Sequence, residues 1–230
     1  MLKRGKNYRA GKEKKEDRPY KLEEAIAFIK TNSFANFDET LEMAFRLGVD
    51  FKKSDQSVRG TVNLPHGTGK KMRVLVFAKG AAQDAARKAG AESVGLEDLI
   101  EKIKKGWMDF DVAIATPDVM PEVRKLGKFL GPRGLMPSPK AGTVTDDISS
   151  TIGQFKGGRI EFRMDRHGNV TAPFGKRSFD AAKLVENGAC LMNAVINAKP
   201  HSSKGVYIKR CTVSSTMGVG LQLDLADVIK

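Results

Sequence analysis

The apolar positions of the chain repeat with two different periods. From Leu41 to Leu47, apolar and polar residues alternate, which predicts a strand with one face buried. Alternation returns at residues 160–165 and again near the carboxyl end, at 207–225. Residues 178–198 carry apolar side chains at helical spacing and predict one long helix. Both ends of the chain therefore favour antiparallel sheet covered by helices.

The middle of the chain has a different pattern. Residues 74–78 and 112–115 are short continuous apolar runs, which are typical of parallel strands covered on both faces. Helical patterns lie between them at about 81–89 and 96–105, and a third helix is expected after Pro121. This regular order of strands and helices predicts a small doubly wound α/β domain.

The simplest architecture joins the two ends of the chain. We expect a discontinuous α+β domain built from residues 1–67 and 158–230. A doubly wound, Rossmann-like α/β domain without a nucleotide fingerprint is then inserted at residues 68–157. The chain crosses between the two domains at glycines that we expect to act as hinges: Gly67, Gly157 and Gly158.

Charge indicates the class of partner. The 230 residues have a formal net charge of +13, and residues 1–21 alone hold nine basic and three acidic side chains. A surplus of this size attracts polyanions, chiefly nucleic acid. With 3 Tyr and 1 Trp available for stacking on single strands, folded RNA read by its shape fits better. A general basic nucleic-acid binder without shape preference is the alternative.

The chain offers no motif for catalysis or cofactor binding. GTGKK at 67–71 lacks the first glycine and the final Ser or Thr of a phosphate loop, and no glycine-rich fingerprint follows residues 74–78. Cys190 and Cys211 lack metal-ligand spacing and are expected to be reduced. We expect neither enzyme, cofactor nor metal. An RNA methyltransferase using the doubly wound domain is the competing enzyme class.

The ends of the chain carry no targeting pattern. No apolar run reaches the length of a membrane span, and the basic amino terminus lacks the apolar region of a signal peptide. We therefore expect a cytoplasmic protein that does not contact a membrane.

Three loops carry candidate binding chemistry. The segments at 59–70 and 131–143 are rich in glycine, proline and basic residues, so they can hold a fixed shape that suits phosphates. A predicted hairpin tip at 214–218 presents small hydroxyls, one Met and one Gly. Such groups can bond ribose and phosphate and pack on an exposed base. Taken alone, this tip could equally be an ordinary polar turn.

Segments spread over about nine-tenths of the chain resemble one family. They are FDET at 37–40, SDQSVRGTVNLPHGTGK at 54–70, GWMDFDVAIATPD at 106–118, LGPRGLMPSPKAGTV at 130–144, GRIEFR at 158–163 and STMG at 215–218. The family is that of the first-numbered proteins of the large ribosomal subunit, in its bacterial form, which builds the mobile stalk beside the exit site. The resemblance implies the same split fold. It also implies that the domain built from the chain ends grips a folded segment of large-subunit (23S-type) rRNA.

The resemblance also assigns roles to individual positions. It implies primary RNA contact by Phe37, Glu42, Thr216, Met217 and Gly218, with Ser214 and Ser215 beside them. Arg133 and Lys140 are expected to make a secondary contact. Two neighbours depart from the family, because Asn36 stands where a Lys is often found and Arg210 where a small hydroxyl residue is often found. The resemblance further implies two partners: exit-site tRNA, whose release the protein would assist, and the protein's own messenger RNA, whose translation it would repress. It also implies that the free protein is a monomer.

Overall fold

The computed structural model describes residues 5–50 and 53–228, and for residues 54, 140, 227 and 228 it describes the backbone alone. The strands are β1 (Thr40–Leu47), β2 (Arg59–Asn63), β3 (Val74–Phe77), β4 (Ser93–Gly95), β5 (Val112–Ala115), β6 (Arg159–Arg163), β7 (Asn169–Lys176), β8 (Ile208–Ser215) and β9 (Leu221–Gln222). The α-helices are α1 (Lys6–Glu13), α2 (Leu22–Asn32), α3 (Ala81–Lys88), α4 (Glu97–Lys104), α5 (Met120–Val123), α6 (Gly127–Leu130), α7 (Ile148–Lys156), α8 (Ala181–Asn197) and α9 (Leu225–Val228).

The chain forms two compact units. The first combines the chain up to Gly69 with the chain from Ile160 onward, and the second runs from Lys70 to Arg159. The sequence pattern predicted the two boundaries after residue 67 and before residue 158. The structure places each boundary two residues later. Each unit has apolar clusters made only of its own residues, as far as the chain is described.

The first unit is built on a four-stranded sheet in the order β7-β1-β8-β9, with antiparallel neighbours. The alternation predicted from Leu41 to Leu47 is confirmed, because the odd-numbered side chains of β1 are buried. Helices α2 and α8 bring apolar side chains such as Ile26 and Leu191 into the same cluster. Strands β2 and β6 form a separate two-stranded sheet in this unit.

Two elements near the carboxyl end differ from the prediction. The long helix begins at Ala181, because the preceding Asp180 has an extended backbone. The predicted return strand is cut short after Gln222. There, Asp224 Oδ1 accepts a hydrogen bond from Ala226 N at 3.0 Å, a cap that starts helix α9 at Leu225. Leu225 therefore belongs to a helix and does not continue the strand alternation.

The second unit is built on a three-stranded parallel sheet in the order β4-β3-β5. Both apolar runs predicted as parallel strands are confirmed. The side chains of Val74 and Val76 join one cluster with α3 and α7, whereas Leu75 and Phe77 join another with α4, α5 and α6. Apolar helices therefore cover both faces of the sheet, which explains why its strands are continuously apolar.

An ion-pair network ties the starts of β3 and β5 together. Asp111 accepts hydrogen bonds from Lys70 Nζ at 2.6 Å, from Arg73 Nε at 3.1 Å and from Arg73 N at 3.2 Å. Burial acts to raise the pKa of Asp111, but the hydrogen bonds from Lys70 and Arg73 outweigh it and lower the pKa from 3.8 to about 2. The ionised carboxylate is therefore stabilised by folding.

Acid is expected to remove this stabilisation. Because folding lowers the pKa of Asp111, the ionised carboxylate stabilises the folded protein above pH 3.8, and this stabilisation is lost as the pH falls towards 2. Asp111→Asn should lower the free energy of unfolding at pH 7 by on the order of 1 kcal/mol, a small value because Lys70 is more than half exposed and solvent screens the pair. Urea unfolding of both proteins at pH 7 and at pH 2 measures this. An equal difference between the two proteins at both pH values would contradict the assignment.

Candidate RNA-binding site

The structure brings the segment before β1 together with the turn after β8. Thr40 N donates a hydrogen bond to Thr216 Oγ1 at 3.1 Å, and the same hydroxyl donates to Thr40 O at 3.3 Å. Phe37 lies three residues before Thr40 and is 51% exposed, while Met217 follows Thr216 and is 49% exposed. Two large apolar side chains therefore project to solvent from adjoining segments, where they could contact a partner.

A buried carboxylate holds these two segments in place. Glu39 is 1% exposed. Its Oε1 accepts hydrogen bonds from Met217 N at 3.0 Å and from Ser215 Oγ at 3.2 Å. Ser33 Oγ donates to the other carboxylate oxygen. Because a buried charge is costly unless it is fully hydrogen-bonded, this network fixes the Met217 backbone while its side chain remains outside.

Arg177, the residue after β7, supports the same network. Its backbone N donates to Glu39 O at 2.8 Å, and its Nη1 donates to Ser33 Oγ at 2.6 Å and to Ala35 O at 3.4 Å. The loop that carries Phe37 is therefore held from both ends. Glu39, Ser33 and Arg177 were not among the residues predicted from the sequence.

The predicted hydroxyls fall on opposite sides of β8. Ser214 lies opposite Glu42 in the register of β8 and β1, and Glu42 is exposed. Ser215 is buried at 5% exposure and bonds to Glu39. We therefore expect Ser214 to face a ligand and Ser215 to shape the turn.

Gly218 lies too close to the side chain of Ser215 to be replaced by a larger residue. Its N donates to Ser215 O at 3.2 Å. A Cβ added at Gly218 would lie 2.3 Å from Ser215 Oγ, the hydroxyl that bonds to Glu39. Any larger residue would therefore displace a member of the buried network, which explains the glycine without invoking an unusual backbone angle.

The predicted secondary contact lies in the other compact unit. Arg133 is exposed in the turn that follows α6, and the side chain of Lys140 lies outside the described part of the chain. The loop around them is fixed, since Ser138 N donates to Thr143 Oγ1 at 2.8 Å and Thr143 is buried. This agrees with a loop of defined shape but does not test its contact with RNA.

The expected hinge glycines occupy ordinary turns. The carbonyl of Gly67 accepts a hydrogen bond from Asn187 Nδ2 at 2.9 Å, and Asn187 is fully buried. Gly157 caps the end of α7, and Gly158 has a φ of 110° that favours glycine. Their role as hinges stays a prediction.

The surface around the β8–β9 turn has the chemistry of recognition. It presents hydroxyls, one exposed carboxylate and two apolar side chains. Among residues 5–50 and 53–228, no group of three or more His, Cys, Asp or Glu side chains is placed to hold a metal ion. Within the same ranges, no helix combines the length and apolarity needed to cross a bilayer.

Comparison with known proteins identifies the class. Residues 29–219 match the Ribosomal protein L1p/L10e family. The chain is 54% identical over 224 residues to the large ribosomal subunit protein uL1 of Cutibacterium acnes, covering 97% of each chain. It is equally similar to uL1 of a Nocardioides species, where 97% of this chain aligns with 93% of the relative. Identity to uL1 of Limosilactobacillus fermentum is 51%, covering 97% of each chain.

The fold and its exposed recognition surface thus belong to a structural protein of the ribosome, not to an enzyme. The chain is a member of the Ribosomal protein L1p/L10e family, in the bacterial large-subunit form. Its location is therefore the cytoplasm, as part of the large ribosomal subunit, and rRNA is its partner. This confirms the resemblance found in the sequence and removes the methyltransferase alternative.

Proposed function

We propose that the first compact unit is the RNA-binding domain and grips a folded segment of large-subunit rRNA at the mobile stalk. The contact surface, called the primary patch below, consists of Phe37, Glu42, Ser214, Thr216, Met217 and Gly218. The observation that supports it best is the exposure of Phe37 and Met217 above a buried hydrogen-bond network. Such a surface is rigid and partly apolar, and it presents hydroxyl groups and the Glu42 carboxylate, so it can read the shape of RNA and the ribose hydroxyls.

The second unit would act as an inserted, Rossmann-like domain with a looser role. Arg133 and Lys140 on its fixed loop would make a secondary RNA contact through their charges. In this proposal Gly67, Gly157 and Gly158 allow the inserted domain to move with the stalk. The protein uses no cofactor and is a monomer when free. Its movement would assist release of deacylated tRNA from the exit site.

The primary patch would also account for regulation. A segment of the protein's own messenger that mimics the folded rRNA site would bind the same groups, because the patch reads shape and backbone and makes no use of a long base sequence. Excess free protein would then occupy its messenger and repress translation. Competition between the two RNAs for one site follows directly from this proposal.

The salt dependence of binding separates this function from general binding by a basic protein. Part of the +13 charge lies outside the unit that carries the primary patch, because the second unit, residues 70–159, holds 16 basic and 11 acidic side chains. Binding of the folded rRNA fragment should therefore lose less affinity with added salt than binding of a scrambled RNA of equal length. The measurement is log K against log salt concentration for both RNAs, at 50 to 300 mM KCl. Equal affinities and equal slopes would indicate a general polyanion binder.

A further inference from the structure

Residues 176–179, called the 176–179 segment below, connect the end of β7 to the start of α8. Ser178 N donates a hydrogen bond to Asp38 Oδ1 at 3.0 Å, and Ser178 Oγ donates to Asp38 Oδ2 at 2.8 Å. Lys176 Nζ donates to Thr40 Oγ1 at 2.8 Å. Asp38 lies in the loop that carries the aromatic side chain of the primary patch, and Thr40 begins β1. The segment therefore supports the primary patch without belonging to it.

The same segment also contacts the chain where it leaves the first unit. Gly69 is the last residue of the first unit before the crossing, and it has a φ of 73°. A Cβ added at Gly69 would lie 2.9 Å from Lys176 Cγ and 3.0 Å from Phe179 Cε1. The backbone at Gly69 therefore packs directly against two side chains of the segment, and one of them, Lys176, also holds the start of β1.

The chain is already held just before this contact. Asn187, which is fully buried in α8, donates from Nδ2 to Gly67 O at 2.9 Å and accepts at Oδ1 from His66 N at 3.1 Å. His66 Nε2 lies 2.6 Å from Glu186 Oε2. Residues 66–69, called the crossing segment below, are therefore fixed to the first unit. Movement at Gly67 would require these contacts to open.

We propose that the 176–179 segment couples RNA binding at the primary patch to the order of the crossing segment. The stem of Lys176 packs on Gly69 while its ammonium group holds Thr40, so a displacement at either end moves the other. RNA that fixes the patch would thus stabilise the crossing segment and restrict movement at Gly67. Coupling of this kind is reciprocal, so a disturbed crossing segment weakens RNA binding by the same factor. The identity of the RNA rests on the proposed function, whereas the chain of contacts does not depend on it.

Gly69→Ala tests the coupling from the side of the crossing, with Gly205→Ala as the matched control. Both glycines lie in the first unit at a positive φ, 73° and 79°, so alanine strains the two backbones alike. At Gly205 an added Cβ meets nothing within 4 Å, whereas at Gly69 it displaces Lys176 and Phe179. Neither glycine belongs to the primary patch. Gly69→Ala should nevertheless weaken binding of the rRNA fragment roughly 3- to 10-fold, and Gly205→Ala should change it by about twofold at most.

A double-mutant cycle tests the route of the coupling. Thr40→Val removes the hydroxyl that accepts the hydrogen bond from Lys176 Nζ and keeps the shape of the side chain. In the Thr40→Val background this link is already broken, so adding Gly69→Ala should cost about twofold in affinity at most. Losses that multiply without interaction would overturn the role of the 176–179 segment.

Amide hydrogen exchange gives a readout that needs no RNA. The amides of His66 and Gly67 both donate hydrogen bonds within the first unit. In the free protein, Thr40→Val should make these two amides exchange several-fold faster. The amide of Leu47, which donates to Gly168 O at 2.9 Å at the opposite end of β1, should exchange at the same rate in both proteins. The rRNA fragment should slow exchange at His66 and Gly67 in the unchanged protein, and less so in Thr40→Val.

Two further results would overturn the coupling. One is an equal affinity of Gly69→Ala and Gly205→Ala for the rRNA fragment. The other is exchange at residues 66–67 that is the same in Thr40→Val and in the unchanged protein, and this measurement decides the question if Gly69→Ala does not fold. If exchange differs but the rRNA fragment binds no better than scrambled RNA, the chain of contacts stands and the proposed function fails.

Discussion

Replacing Met217 by Asp is expected to weaken binding of the rRNA fragment roughly hundredfold or more, a loss typical of a binding hot spot. The side chain is 49% exposed at the β8–β9 turn, so the core of the protein does not depend on it. A carboxylate at this position would lie against RNA phosphates in a contact from which water is excluded. Fluorescence or calorimetric titration measures the affinity, and thermal unfolding checks the fold.

Val206→Asp is the matched control. Val206 is also an exposed aliphatic side chain of the first unit, at 66% exposure, but it precedes β8 and lies outside the primary patch. It adds the same charge to the same unit, so it should reduce affinity only slightly through long-range repulsion. Equal losses for the two variants would mean that charge alone explains the effect. An unchanged affinity for Met217→Asp would remove Met217 from the site.

Removing most of the second unit is expected to leave a folded protein that retains most of its affinity for the rRNA fragment. The design deletes residues 70–158 and joins Gly69 to Arg159 by a short Gly/Ser linker. The apolar cluster of the first unit includes no side chain from the deleted segment, and every residue of the primary patch remains. The product should unfold cooperatively in urea.

The same deletion should have a different effect on non-specific binding. The deleted segment carries 15 basic and 11 acidic side chains, so its loss reduces general attraction to RNA. Affinity for scrambled RNA should therefore fall more than affinity for the rRNA fragment. A folded product that no longer distinguishes the fragment would place the main site in the second unit. A product without cooperative unfolding would show that the two units do not fold independently.

Periodicity alone predicted most of the fold. The alternation in β1 and the continuous apolar runs of β3 and β5 are strong signals, because each reports directly which faces of a strand are buried. Helix α7 was missed although it carries a clear signal: Ile148, Ile152 and Phe155 share one face, and Asp147 accepts a hydrogen bond from Ser150 N. Helix α1 has no buried residue, so no apolar stripe could reveal it.

Sequence reasoning singled out the exposed residues of the candidate site and missed Glu39, Ser33 and Arg177, which hold them in place. Glu39 immediately precedes β1 and has the same parity as Leu41, Met43 and Phe45, so extending the alternation one step back would have placed a carboxylate on the buried side. Its partners could not have been inferred, because the pairing of β8 with β1 brings Ser215 to it and the end of α2 places Ser33 beside it.

The hydrogen bonds around Glu39 have an entropic consequence. A loop that becomes ordered only on meeting its ligand gives up part of its affinity to the loss of backbone freedom, at about 1 to 2 kcal/mol for each residue fixed. The Met217 amide is already fixed by Glu39, and Thr216 is already tied to Thr40. That loss of freedom occurs when the protein folds, so under the proposed function RNA would meet a surface that is already ordered.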